Sequence, residues 1–128
     1  MKVNGKDIDL NPQEIMQELV EFRSKLGKLN SDIIKLGNAK SQAEYDYRLL
    51  KAKKIMILRA DKTPVTIIAD LVKGDPDVAA LKLQLDAQEV LYDNKRENIR
   101  SLRDVMSVYQ SILNYLKAEI GGYNKTEY

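Results

Sequence analysis

The 128-residue sequence contains no cysteine, no histidine and no tryptophan. Without cysteine the chain can form no disulfide, thiolate zinc site or cysteine nucleophile, and without histidine it lacks the usual general base and the commonest transition-metal ligand. The sequence also has neither a Walker A loop nor the glycine pattern of a dinucleotide-binding loop. These absences argue against an enzyme and against a bound cofactor.

Long apolar runs are missing as well. No apolar stretch approaches the roughly 20 residues that a membrane-spanning helix needs. The first ten residues, MKVNGKDIDL, offer no apolar segment suited to a signal peptide. We therefore expect a cytoplasmic protein that does not bind membranes.

The sequence is instead rich in charge and in apolar residues at heptad spacing. Charged residues make up 31% and apolar residues 44% of the chain, with a formal net charge of only +2. Over residues 15–57 and 78–120 the apolar residues recur at alternating spacings of three and four, as in a coiled-coil seam. Lys40 and Lys54 interrupt the first seam, and polar residues at such positions fix the register or mark where a seam opens.

Capping signals bracket both heptad stretches. Asn11 followed by Pro12 predicts the start of one helix, and Asp75 followed by Pro76 predicts the start of the other. The predicted helices cover about residues 12–60 and 76–120.

Glycines predict where these helices break or end. Gly37 lies inside the first helix, where glycine costs on the order of 1 kcal/mol relative to alanine, and it predicts a kink or a short break. Gly121 and Gly122 predict the end of the second helix and a flexible tail over residues 121–128.

The segment between the long helices predicts a third, short helix. Thr63 as N-cap, Pro64 at the first helical position and Gly74 at the C′ site bracket residues 65–73. Such a linker folds the long helices back on each other. The predicted fold class is all-α: an elongated, coiled-coil-like antiparallel helical hairpin with a short linker helix, forming one domain over residues 11–120.

Residues 1–10 form a separate N-terminal arm in this interpretation. Asn4-Gly5 lies between two short apolar-ended segments, VNGKDI, and predicts a β-hairpin with a type I′ turn. A frayed terminal arm is the alternative.

The apolar surface exceeds what one facing helix can cover. Residues 55–58 are apolar on every side of a helical turn, and further apolar residues widen the stripe of the last helix beyond a two-stranded seam. We therefore predict a homo-oligomeric bundle. The residues predicted to lie between subunits are Ile55, Met56, Leu58, Leu83 and Val90.

Positive charge concentrates in the second half of the first helix. Between residues 40 and 62 there are seven cations and three carboxylates. Lysines neutralise phosphates, and a tyrosine ring can stack on a nucleobase. The predicted nucleic-acid contacts are Tyr45, Arg48, Lys51, Lys53, Lys54 and Arg59. The alternative is that this stretch is a solvated coiled-coil flank.

Two pairs of aspartates raise the question of a metal site. Asp75 and Asp77 open a helix, where carboxylates favour the positive end of the helix dipole, so capping explains them. Asp7 and Asp9 have no second cluster of ligands nearby in the sequence. We therefore predict no metal site.

Part of the chain resembles known phage proteins. Residues 45–116, with the centre ILRADKTPVTIIADLVKGDPDVAALKLQLDAQEVLY, resemble small helical proteins encoded by phages and prophages of Gram-positive bacteria. Within them, Leu50-Lys51-Ala52-Lys53 is similar to the Leu-Lys-Ala-Arg run in the first helix of UvsY-type recombination mediators. Those are small helical oligomers that bind single-stranded DNA through that run and help to load a recombinase. The resemblance implies that Lys51 and Lys53, the latter replacing arginine, contact DNA.

These observations predict a phage-type accessory protein that oligomerises and binds single-stranded DNA, assisting recombination or strand annealing. Its expected partners are a phage recombinase, annealing protein or single-strand-binding protein in the host cytoplasm. The alternative is a protein-interaction module, such as a phage inhibitor that docks on a host protein.

Overall fold

The computed structural model describes the backbone of residues 2–3, 6–7 and 11–126 and the side chains of residues 11–120. In that part of the chain, a pair of two-residue strands precedes three helices. The elements are β1 (Lys2–Val3), β2 (Lys6–Asp7), α1 (Pro12–Ala60), α2 (Val65–Lys73) and α3 (Pro76–Thr126). The predicted all-α fold class is confirmed. None of the helices in the described residues combines the length and the hydrophobicity of a membrane span.

The two strands pair antiparallel, with Val3 opposite Lys6. This register leaves two residues between the strands. The predicted type I′ turn at Asn4 and Gly5 lies outside the described residues.

The start of α1 follows its capping signal. The Gln13 N–H donates a hydrogen bond of 3.0 Å to the side-chain oxygen of Asn11. The Ile15 N–H donates to the Asn11 carbonyl at 3.1 Å, which is the first bond of the helix. Asn11 is therefore the N-cap, as predicted, and it satisfies one of the N–H groups that a helix start leaves unpaired.

Of the two alternatives predicted at Gly37, a kink or a short break, the break is wrong, because α1 is continuous from Pro12 to Ala60. The Tyr92 ring packs beside Gly37, and a β-carbon at this position would lie 3.4 Å from its Cε2, an ordinary van der Waals distance. A helical penalty of about 1 kcal/mol does not interrupt a helix that packing stabilises on both sides of the glycine.

The end of α1 uses an unusual residue. Lys62 has a φ of 58°, the left-handed conformation that glycine normally supplies. The Lys62 N–H donates to the Arg59 carbonyl at 3.1 Å and the Thr63 N–H to the Leu58 carbonyl at 3.0 Å. These two bonds form a Schellman motif, which reverses the chain direction after α1.

The short helix α2 covers the predicted residues, but its N-cap differs. Pro64 is the N-cap, with a φ of −55° and a ψ of 131°, and no side chain caps the helix start. The prediction that Thr63 is the N-cap is therefore wrong. Because the backbone of Pro64 is extended rather than helical, the first helical residue is Val65.

Gly74 ends α2 in a right-handed conformation. Its φ is −84°, and its N–H donates to the Asp70 carbonyl at 3.0 Å. Gly74 is thus the C-cap rather than the left-handed C′ residue that was predicted. The Asp75 N–H donates to the Val72 carbonyl at 3.2 Å, so the next helix begins within two residues.

The last helix is longer than predicted. It continues through Gly121 and Gly122 to Thr126, so the prediction that these glycines end it is wrong. Glycine weakens a helix by about 1 kcal/mol per residue, but it lacks the steric block that proline imposes. The remainder of the predicted tail, residues 127–128, lies outside the described residues.

The chain divides into two compact units, each built from parts of α1 and α3. Unit 1 comprises Met1–Ser31 and Arg96–Tyr128. Its best-buried residues form one cluster, with Phe22 against Tyr109 edge to face at a centroid distance of 4.9 Å. The cluster consists of Ile15, Leu19, Tyr109 and Leu113.

Unit 2 is Asp32–Lys95 and contains α2. Here α2 buries Ile68 and Val72 beside Val78 of α3, and four half-buried residues of α1 pack against them. The α1 residues are Tyr47, Leu50, Ile55 and Leu58. The linker helix thus covers part of the apolar turn at residues 55–58.

Polar residues interrupt the seam of unit 2, and partners within the unit satisfy them. The Lys40 ammonium lies 5.0 Å from the ring centroid of Tyr92, and Lys95 forms a salt bridge of 3.6 Å with Asp32. Asp32 of α1 pairs with Lys95 of α3, whereas the later Lys54 pairs with the earlier Asp75, so the two helices run antiparallel within this unit, as predicted.

Candidate nucleic-acid interface

The predicted cations lie on the last four turns of α1, all within unit 2. A helix places residues three or four apart on one side, and the Lys51 and Lys53 side chains therefore leave the helix in different directions. The structure separates the predicted residues into three groups, according to what each charge contacts.

Lys54 belongs to the first group, because its charge is used inside the unit. Its ammonium lies 3.2 Å from a carboxylate oxygen of Asp75 and 4.0 Å from one of Asp77. Lys54 interrupts the apolar seam at the position where this pair anchors α1 to the start of α3. The structure therefore gives Lys54 a positioning role rather than an outward-facing charge.

Asp75 combines this ion pair with the N-cap of α3. Its Oδ1 accepts hydrogen bonds from the N–H groups of Asp77 at 3.0 Å and Val78 at 3.1 Å. The Val78 N–H bond is the largest cause that lowers the pKa of the Asp75 carboxyl, and Lys54 and the Asp77 N–H add to it. The predicted capping role of Asp75 is confirmed.

Arg48 and Lys51 form the second group, in which the cation is exposed but has a local contact. Arg48 pairs with Glu44 on the same helix at 2.7 Å, and its side chain is 75% exposed. The Lys51 ammonium lies 5.6 Å from the ring centroid of Tyr47. Exposed pairs within one helix contribute a few tenths of a kcal/mol, so a polyanion can replace these contacts at low cost.

Lys82 of α3 joins this group, although the sequence did not single it out. Its ammonium also lies 5.6 Å from the Tyr47 ring centroid, so two lysines share one ring. Its salt bridge of 3.0 Å with Asp86 raises the pKa of the Lys82 ammonium. The antiparallel register that places Lys54 beside Asp75 also places Tyr47 beside Lys82, seven residues further along each helix.

Lys53 and Arg59 form the third group. Both are exposed, and within the described part of the chain neither forms a salt bridge or a hydrogen bond through its side chain. These two cations are the ones that a phosphate can approach without displacing a protein partner.

Tyr45 presents its ring to solvent and is 61% exposed. It lies one turn before Leu49 on the side of α1 that faces away from α3. An exposed ring next to exposed cations is the combination that stacking on a single strand requires. Its neighbour Tyr47, two residues later, instead packs against the unit 2 core.

The residues predicted to lie between subunits fall into two groups, according to whether they are buried within unit 2 or exposed. Ile55 and Leu58 are half-buried against the cluster beneath α2. Met56 of α1 and Leu83 and Val90 of α3 are exposed, by 69%, 72% and 58% respectively. Only the latter three are available to a second molecule.

The chain matches no protein-family model, and comparison with curated proteins and with solved structures finds no significant match.

Proposed function

We propose that this chain is a phage-type accessory protein that oligomerises and binds single-stranded DNA, assisting recombination or strand annealing. The observation that carries the proposal is the outer surface of α1 in unit 2. There, among the described residues, Lys53 and Arg59 are exposed and form no side-chain salt bridge or hydrogen bond, Lys51 contacts the ring of Tyr47, and the Tyr45 ring faces solvent.

Each component has a physical role in the proposed complex. The cations neutralise phosphates and release counterions, which makes binding strong at low salt and independent of base sequence. The Tyr45 ring stacks on a base, since every nucleobase offers a π-face. Because one helix cannot direct Lys51 and Lys53 at the same strand, several copies acting together supply a continuous positive surface. Such a complex would deliver the strand to a recombinase, annealing or single-strand-binding protein.

The proposal is tested by titrating a fluorescent single-stranded oligonucleotide at about 50 and about 200 mM salt. We compare the unmodified protein with Lys51→Ala/Lys53→Ala and with Lys25→Ala/Lys28→Ala. The second variant is the matched control, because it removes two exposed lysines from α1 in unit 1. Circular dichroism verifies that all three proteins are equally helical.

The expected result is weaker binding by Lys51→Ala/Lys53→Ala only. Its plot of log affinity against log salt should flatten by about 0.7 for each phosphate contact that is lost. Equal affinities for the three proteins would remove this site, and absence of binding by the unmodified protein at low salt would refute the proposed function.

A protein-interaction module that docks on a host protein is the second candidate. The observation that favours it is an open cleft of about 330 Å³ between α1 and α2. Its lining comprises Ile57, Leu58, Leu71 and Val72 together with Lys54 and Asp75. Ile57 and Leu71 are both about half exposed at its rim. A photo-crosslinker at Leu71 should then capture one defined host protein, and Ile57→Glu should abolish that adduct.

A further inference from the structure

Unit 1 has an open cleft of about 370 Å³ between α1 and α3, here named the arginine cleft. Its apolar lining is buried or half-buried and consists of Leu19, Leu26 and Met106. Its polar lining is exposed and consists of Arg23, Arg103, Ser107 and Gln110. The cleft therefore combines an aliphatic base with a polar rim that carries two cations.

The two arginines of the cleft have no anionic partner in the described part of the chain. There, neither Arg23 nor Arg103 forms a salt bridge or a hydrogen bond through its side chain. Because a helix turns by about 100° per residue, each acidic residue of unit 1 with a described side chain lies at least that far around its helix from the arginine of the same helix. These acidic residues are Glu14, Glu18 and Glu21 of α1 and Glu97, Asp104 and Glu119 of α3. The positive charge of the cleft is therefore not balanced by a neighbouring carboxylate.

A second cleft on the other side of the same helix pair provides the comparison. Its volume is also about 370 Å³, and its lining includes Phe22 and Leu102, but Lys25 is its only cation among the described residues. Glu21 precedes Lys25 by four residues and lies beside it on α1. The excess of positive charge is thus a property of the arginine cleft and not of unit 1 as a whole.

We propose that the arginine cleft binds a peptide segment of a partner protein in which apolar side chains lie between carboxylates. Each guanidinium group can bind a carboxylate through two parallel N–H bonds. An apolar side chain of the peptide enters the base of the cleft, where the flexible Met106 side chain adapts to its shape. The Gln110 amide donates to Asn114 at 3.1 Å, which leaves its carbonyl oxygen free to accept a peptide N–H.

The lining of the arginine cleft favours a peptide over a nucleic acid. None of its lining residues is aromatic, so a base finds no ring on which to stack, and the aliphatic base of the cleft offers nothing to a phosphate. Met16 and Val20 lie seven and three residues before Arg23, on the same side of α1, and both are exposed. They extend the apolar surface along which a peptide can lie. The proposed DNA contacts belong to unit 2, so this inference is independent of the proposed function.

The test follows the methionine methyl signals of the methyl-labelled protein by NMR during peptide titrations. Met106 lines the cleft, whereas Met56 is exposed in unit 2 and serves as the internal reference. The probe is Gly-Asp-Glu-Leu-Leu-Glu-Asp-Gly with both ends blocked. In one reference peptide lysines replace the acidic residues, and in the other serines replace the leucines. The test variant is Arg23→Glu/Arg103→Glu.

The matched control for this variant is Lys25→Glu/Lys28→Glu. It makes the same change of net charge at two exposed positions of unit 1 that are outside the cleft. All four substituted residues are exposed and helical, so both variants should keep the helical circular dichroism of the unmodified protein.

The probe should shift the Met106 signal to saturation and leave that of Met56 unchanged, and neither reference peptide should do so. Arg23→Glu/Arg103→Glu should weaken binding of the probe at least about tenfold, because two charge-assisted contacts are lost, whereas the control should bind like the unmodified protein. No saturable shift of Met106, equal binding of the serine peptide or equal weakening by both variants would overturn the proposal. A shift of Met106 by a single-stranded oligonucleotide but not by the probe would instead identify a nucleic-acid site. No peptide titration contains DNA, so their failure is distinguishable from failure of the proposed function.

Discussion

Unit 1 and unit 2 are made from the same two long helices but distribute their apolar residues differently. In unit 1 the facing surfaces are apolar, and Ile15 and Tyr109 are almost completely buried. In unit 2 the facing surfaces include Lys40, Lys54 and Lys95, while eleven of the sixteen strongly exposed large apolar side chains in the described residues lie there.

We infer from this difference that the two units have separate roles. A seam that contains lysines contributes less apolar burial than a uniform seam, so unit 2 uses α2 to complete its core. Apolar residues on its outer faces add little to the stability of one copy and are available for association. We therefore expect unit 1 to contribute most of the stability, and we propose that unit 2 makes the intermolecular contacts with DNA and with other copies of the chain.

The largest effect should come from the core of unit 1. Tyr109→Ala removes a ring that packs against Phe22, Ile15 and Leu113 and should lower the free energy of unfolding by about 3 to 5 kcal/mol. The matched substitution in unit 2 is Tyr45→Ala. It should change the free energy of unfolding by less than about 0.5 kcal/mol, because the ring is exposed. Urea denaturation measures both, and equal effects would erase the contrast between the units.

The next effect concerns the helix that completes unit 2. Ile68→Ala truncates a buried side chain of α2 and should lower the free energy of unfolding by about 2 to 5 kcal/mol. Its neighbour Ile67 is 44% exposed, so Ile67→Ala should be nearly neutral. If both substitutions were neutral in urea denaturation, α2 would not seal the core of unit 2.

A smaller effect should appear as a pH dependence of unit 2. The pKa of Asp75 is lowered in the fold, so its ionised form stabilises the protein above the ordinary aspartate pKa of about 4. That contribution is lost as the pH falls through the lowered pKa.

Asp75→Asn retains an oxygen that can cap α3 but removes the charge that pairs with Lys54. The variant should therefore be less stable than the unmodified protein near neutral pH, and the difference should shrink in acid. A difference in urea midpoint that is constant between about pH 7 and pH 3 would contradict this assignment.

The smallest effect is a stabilisation at the chain reversal after α1. Lys62 adopts a positive φ that costs a residue with a β-carbon roughly 1 kcal/mol, and glycine adopts it without strain but loses more entropy on folding. Lys62→Gly should thus raise the free energy of unfolding by about 0.5 kcal/mol. A loss of stability would show that the lysine side chain itself holds the turn.

Much of the fold could be predicted because its signals are local. The caps at Asn11 and Asp75 depend on side chains that reach N–H groups two or three residues away. Heptad spacing then fixes which sides of α1 and α3 meet. Glycine was a poor guide to helix ends because it weakens a helix without blocking it, as at Gly121. At Gly37 the contact with Tyr92 also joins residues far apart in the sequence.

The candidate site was less predictable for the same reason. Composition identified the cations of α1. It gave no indication that Lys54 forms a salt bridge with Asp75 or that Lys82 makes a cation–π contact with Tyr47. Both contacts depend on the register between the helices. Likewise, the cover of Ile55 and Leu58 became apparent only when α2 was placed over them.

The most direct test of the central claim, that unit 2 binds single-stranded DNA, is photo-crosslinking with an oligonucleotide that contains 5-bromodeoxyuridine. Stacking on Tyr45 predicts an adduct on the tryptic peptide of residues 41–48, which Tyr45→Ala should abolish. The peptide of residues 104–117, which carries Tyr109 and Tyr115 of unit 1, should remain unmodified. Adducts confined to unit 1, or none at low salt, would contradict the claim.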